Sequence, residues 1–103
     1  MFTINNKQWN IKFVYPDNSM LWNGTDFALG ACDGPTQIIY ISNILKGYKL
    51  KKVLCHEIVH AAMFSYNIGL NYEQEELLAD LIATYGEEII KVTNEMFKRL
   101  SNK

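Results

Sequence analysis

The hydrophobic period of this chain changes once, near Tyr48, and that change limits which elements it can build. Before it, residues 8–15 place Trp9, Ile11, Phe13 and Tyr15 on one parity and Gln8, Asn10 and Lys12 on the other. This is the two-residue period of a half-buried strand. Asn5-Asn6 suits a turn from a short first strand, Phe2–Ile4. Residues 26–32 read as another strand, Asp33-Gly34-Pro35 as a turn, and residues 36–42 as a strand rich in β-branched and aromatic side chains.

Beyond Tyr48, Leu50, Val53, Leu54, Ile58, Ala61, Ala62 and Phe64 recur at three- and four-residue steps, predicting a helix that ends near Asn67-Ile68-Gly69. Asn71, with Gln74 three residues on, predicts a capping box. The second helix it opens runs to about Leu100 or breaks at Gly86, and Glu73, Glu75 and Glu76 suit its positive end. Strands followed by helices in 103 residues predict one α+β domain, residues 1–103, with a small twisted sheet packed on two helices.

Charge and composition narrow the partners. Ten Lys+Arg against eleven Asp+Glu leave a net charge of −1, without the positive field that non-specific nucleic-acid binding draws on. Only the stretch from Lys98 to Lys103 is locally basic. Only two cysteines occur, Cys32 and Cys55, and Cys55 lies inside a strongly apolar helical run where a thiol behaves as a small hydrophobe, which argues against a disulfide framework. No run of about eighteen apolar residues and no basic-then-apolar leader is present, so the expected setting is soluble and cytoplasmic, without a membrane, as a monomer or weak oligomer.

Within the first helix stands His56-Glu57-Ile58-Val59-His60, an HExxH holding the only two histidines of the chain. Four residues are about one turn, so both imidazoles project from one face and can grip a single cation. Glu57, about 100° round from His56, can serve as general base toward water acidified by zinc. With His at roughly 2% and Glu at roughly 6% of residues, chance would place this motif in well under about 1% of chains of this length. The pattern therefore points to one zinc ion per chain and to hydrolysis of a peptide or protein substrate.

A third protein ligand has to come from elsewhere. Met63 and Tyr66 occupy the positions that a Gly and a third His would take in HExxHxxGxxH, which leaves carboxylates. Glu76 and Asp80 form an E-xxx-D pair, with Asp80 set in the apolar stretch LLADLIA. A zinc on Glu76 and a ring N–H donated to Asp80 would answer both charges. Glu73 reads as a solvated residue of the helix start, and Glu75 shares the phase of Leu78 and Ile82. The strand at residues 36–42 directly precedes the metal helix, so Gln37, Ile38, Ile39, Tyr40 and Ile41 are the expected edge along which a substrate peptide aligns.

HEIVH followed by EELLADLIATYGEEI resembles the gluzincin metallopeptidases, and the small size is similar to that of minimal gluzincins and the ImmA/IrrE family of phage and bacterial metallopeptidases. The resemblance covers residues 36–90. It implies a zincin-like fold, His56, His60 and Glu76 as zinc ligands, Glu57 as general base and Asp80 as the aspartate that orients His56. It implies an intracellular endopeptidase of phage or mobile-element type. A zinc-stabilised binding module that does not cut, and a zymogen whose tail from Lys91 covers the cleft, are the alternatives. Tyr66, Tyr72 and Tyr85 are the side chains open to stabilising an oxyanion.

Overall fold

A computed structural model describes residues 1–102. β1 (Phe2–Ile4) and β2 (Lys7–Val14) form an antiparallel hairpin. Asn5 and Asn6 between them adopt φ of 48° and 64°, the left-handed pair that a two-residue turn of matching twist requires and that asparagine tolerates. β3 (Gly30–Asp33) and β4 (Ile38–Ser42) complete a four-stranded mixed sheet in the order β1-β2-β4-β3. β4 runs parallel to β2 and antiparallel to β3.

Two of the expected strands are shorter than their apolar runs. Gln37 sits at φ 56° and its N–H donates to Gly34 O, so this residue belongs to the turn between β3 and β4. Residues 26–29 are drawn off by local chemistry: Oδ1 of Asn23 accepts from the N–H groups of Thr25 and Asp26, folding that stretch into a tight loop. Trp22 and Phe27 close the loop as an edge-to-face pair, centroids 5.1 Å apart.

The expected substrate edge is not an edge. Ile38, Ile39, Tyr40 and Ile41 are each paired to β2 on one side and to β3 on the other, and Gln37 lies outside the strand. Ile39 and Ile41 enter the core beneath α1, whereas Ile38 and Tyr40, on the other face beside exposed Asn10 and Lys12, are only half-buried. The free edge beside the helices belongs to β3.

α1 (Gly47–Ser65) covers the sheet, and Trp9, Ile39, Ile41, Leu45 and Ala61 form the buried core between them. Trp9 ties the layers polarly as well: its indole N–H donates to Ser65 Oγ at 2.8 Å, and its ring meets Phe64 edge-on. α2 (Tyr72–Ser101) opens on the expected capping box, with Gln74 N–H donating to Asn71 Oδ1 and Asn71 N–H donating to Gln74 Oε1. It continues unbroken through Gly86. Contacts from Lys51 to Glu87, His56 to Asp80 and His60 to Glu76 show that α1 and α2 run antiparallel. From Glu87 to Asn102 every residue of this helical arm is exposed. The described tail, residues 91–102, continues along α2 and is exposed throughout. Among the described residues no helix is long and apolar enough to cross a membrane.

Candidate metal centre

One turn of α1 separates His56 from His60, and their ring centroids lie 4.9 Å apart. Both Nε2 atoms face the same carboxylate across the helix pair. His60 Nε2 is 2.6 Å from Glu76 Oε1, and His56 Nε2 is 3.5 Å from Glu76 Oε2. The antiparallel packing makes this possible, because it sets the second turn of α2 opposite the HExxH turn of α1.

The other ring nitrogens are held too. His60 Nδ1 lies 2.6 Å from Glu75 Oε1, and His56 Nδ1 lies 3.1 Å from Glu57 Oε2. Asp80 Oδ1 approaches His56 at 3.2 Å, but at Nε2, the nitrogen that also faces Glu76. Asp80 is thus brought to His56 as expected, yet not to the far nitrogen through which an aspartate would orient a ligating imidazole. Its carboxylate is 69% exposed.

Glu57 differs from the other acids in burial: its side chain is only 8% exposed. Gly30 of β3 explains how it fits. A Cβ at position 30 would stand 2.9 Å from Glu57 Cγ and 2.9 Å from Val53 Cγ1, so only glycine lets the strand come this close to the general-base candidate. The hydrogen bond to Glu57 raises the His56 pKa above its usual value, with the negative charges of Glu57, Glu76 and Asp80 adding to it and burial opposing.

His56, Glu57 and His60 offer ligand atoms within 4.8 Å of one another. Glu57 is nevertheless a poorer third ligand than Glu76, because its carboxylate is engaged at Nδ1 of His56 whereas Glu76 reaches Nε2 of both rings. Two imidazoles and one carboxylate form the donor set of hydrolytic zinc sites, and the residues present fit that ion. Cys32 of β3 borders the same space. Burial pushes its thiol up to about 12, and the charges of Glu57, Glu75 and Asp33 push in the same direction.

These side chains line a groove of about 740 Å³, with Gly30, Ala31 and Cys32 of β3 along one wall and Met20, Leu21 and Trp22 at one end. Lys49 and Lys52 border it from α1, and Tyr72 does so from α2, whereas Tyr66 and Tyr85 stand outside. All five residues singled out in the two helices, His56, Glu57, His60, Glu76 and Asp80, meet here. Glu75 is the one that sequence reasoning missed. The signal was available: the phase that it shares with Leu78 and Ile82 is the half-buried one, turned toward α1.

No family model, curated protein or solved structure matches the chain, so the reading of this centre rests on its own geometry.

Proposed function

We propose that this protein is a zinc-dependent peptide hydrolase with a zincin-like arrangement of helices and sheet. The observation that carries the reading is the convergence of both histidine Nε2 atoms on the Glu76 carboxylate, beside a buried glutamate and a free sheet edge. His56, His60 and Glu76 would hold the metal, and Glu75, 2.6 Å from His60 Nδ1, would fix that ring from behind. Zinc in that position supplies Lewis acidity and brings the pKa of water toward neutrality. Glu57 takes up the proton as water attacks the peptide carbonyl and returns it to the departing amine. The unpaired amides and carbonyls of β3 align an extended substrate, the role first expected of residues 37–41. Of the three tyrosines, Tyr72 lines the groove, and we assign it the developing oxyanion.

The test is Glu57→Gln. Zinc content and fold should stay close to those of the wild type, while peptide cleavage falls by about 10²- to 10⁴-fold or more. Zinc-loaded wild type that cuts nothing in a broad peptide library would overturn the enzyme.

One observation favours a zinc-stabilised binding module instead. Glu57 is nearly enclosed and bonded to His56, which is where a carboxylate belongs if its work is to hold a ligand in place. In that case Glu57→Gln weakens zinc binding, and wild type and variant are equally inactive.

A further inference from the structure

The groove carries two cations that the proposed chemistry does not use. Lys49 and Lys52 precede His56 on α1 by about two turns and one turn, within about 40° of its direction. They extend the line of the metal-facing histidines toward the start of the helix. Lys51, about 140° round from His56, behaves differently and pairs with Glu87 at 3.1 Å. Among the described residues neither Lys49 nor Lys52 makes an ion pair, and Asp80 of α2 turns to His56 Nε2 at 3.2 Å instead. Folding does not explain them either. Lys49 sits in the first turn of α1, which holds no acid, and the positive end of a helix disfavours a cation.

The end of the groove that they border has a second chemical character. A Cβ on Gly30 would touch Val53 and Glu57, whereas one on Gly34 would touch Phe64, so β3 runs alongside α1 in the same direction. Its N-terminal end therefore lies toward the lysines. Ala28 N–H donates to Leu21 O at 2.8 Å, which brings Met20, Leu21 and Trp22 to that same end. Met20 and Trp22 remain 40% and 51% exposed there, so an apolar wall stands beside two unanswered ammonium groups. At the metal centre the balance is reversed. Glu57, Glu75, Glu76 and Asp80 gather around the two histidines, and even against a bound dication they leave an excess of negative charge. A carboxylate on a substrate is repelled there and attracted at the lysine end.

We propose that Lys49 and Lys52 are specificity residues, and that the groove selects peptides bearing a carboxylate a short way from the bond that is cut. The proposal rests on the peptide-hydrolase reading of the centre. Lys52 and Lys49 lie about 6 and about 10 Å along α1 from His56, and an extended chain on the β3 edge advances about 3.3 Å per residue, which sets the carboxylate roughly two or three residues from the cut. Met20 and Trp22 receive the apolar part of the same stretch. An Asp or Glu side chain and the C-terminus of a peptide present the same anion to the lysines, so the shared chemistry is a carboxylate.

The test compares the zinc-loaded chain with two double variants, Lys49→Gln with Lys52→Gln and Lys49→Glu with Lys52→Glu. The probes are capped peptides of one apolar sequence in which each position in turn carries Glu, Gln or Lys, and the Gln peptides with a free C-terminal carboxylate. At low ionic strength kcat/KM for Glu at the favoured position should exceed that for Gln by about tenfold, and by less as salt is added, as expected of two exposed ion pairs. The glutamine variant should lose the preference and the charge reversal should transfer it to Lys, with far-ultraviolet spectrum and zinc content as in the wild type. Preference for an internal Glu assigns the carboxylate to a side chain, and preference for the free end alone assigns it to the C-terminus. Equal rates for all these peptides, or a preference that survives charge reversal, would overturn the lysine site and leave the hydrolase standing. Fluorescence anisotropy of the same peptides, labelled, reads binding without cleavage. Tighter binding of the carboxylate peptide by a protein that cuts none of them would overturn the hydrolase and keep the lysine site, whereas neither cleavage nor discrimination would overturn both.

Discussion

Glu75 Oε1 lies 2.6 Å from Nδ1 of His60, while the neighbouring Glu76 holds the same imidazole at Nε2, also at 2.6 Å. Consecutive residues of α2 thus grip opposite edges of one ring. Their removal should have different consequences. Glu76→Gln should lower zinc affinity most, since it replaces an anionic ligand by an amide. Glu75→Gln should lower it by about 10- to 100-fold, the cost of losing the carboxylate behind a ligating histidine. Glu73→Gln, exposed and outside the centre, should leave it unchanged. Zinc titration against a competing chelator ranks the three, and equal losses would reject these roles.

Protonation of His56 and zinc binding should each stabilise the fold, with opposite dependence on pH. The folded-state pKa of His56 is raised above 6.5, chiefly by its bond to Glu57. Its protonated form therefore stabilises the metal-free fold. That contribution is present in full below the unfolded value and is lost as pH rises through the folded one. Zinc needs neutral imidazole, so its stabilisation grows as pH rises. The gap in melting temperature between zinc-loaded and metal-free protein should widen from about pH 5.5 to about pH 8. A gap that narrows over this range would contradict the arrangement at His56.

Gly30→Ala tests the contact between the sheet edge and Glu57. The added methyl meets both Glu57 Cγ and Val53 Cγ1 at 2.9 Å, so both side chains, or the strand, have to give way. Overpacking of this kind costs about 1–3 kcal/mol, which thermal unfolding will register. Because the displaced group includes the proposed base, peptide cleavage should fall further than the loss of folded protein explains. Cleavage that tracks the folded fraction alone would show that the base tolerates the shift.

Two buried serines should respond to alanine with opposite signs. Ser65 Oγ accepts the Trp9 indole N–H, and Ser65→Ala strands that donor in the core at a cost of about 1–3 kcal/mol. Ser42 Oγ is buried with no hydrogen-bond partner, so Ser42→Ala removes a polar group that gains nothing from folding and should stabilise by about 1 kcal/mol. Chemical denaturation midpoints of the two variants should move apart from the wild type in opposite directions.

Much of the fold could be read from the chain because local rules and tertiary packing agree. The alternation around Trp9, the helical period from Leu50 to Phe64 and the Asn71–Gln74 box each became the element they suggest. The convergence of His56, Glu57, His60, Glu76 and Asp80 was legible for a related reason: spacing on helices fixes direction. What failed was pairing order. Nothing in Ile38–Ser42 says that β3 will add outside it, since a buried central strand and an edge covered by helix present the same apolar run. The half-buried phase of Glu75 was visible beside Leu78 and Ile82, but the imidazole it would meet was not, because nothing local says which ring of the facing helix lies opposite.

His56, His60, Glu76 and Asp80 all come from one helical hairpin, α1 and the first turns of α2. Contacts this close in sequence close small loops and form early, whereas the parallel pairing of β2 with β4 has to wait until β3 and the segments around it are in place. The metal-facing residues can therefore be assembled in the folding transition state. An ion that binds them there speeds folding as well as slowing unfolding, so zinc should change the refolding arm of the chevron and act as a template for the chain that holds it.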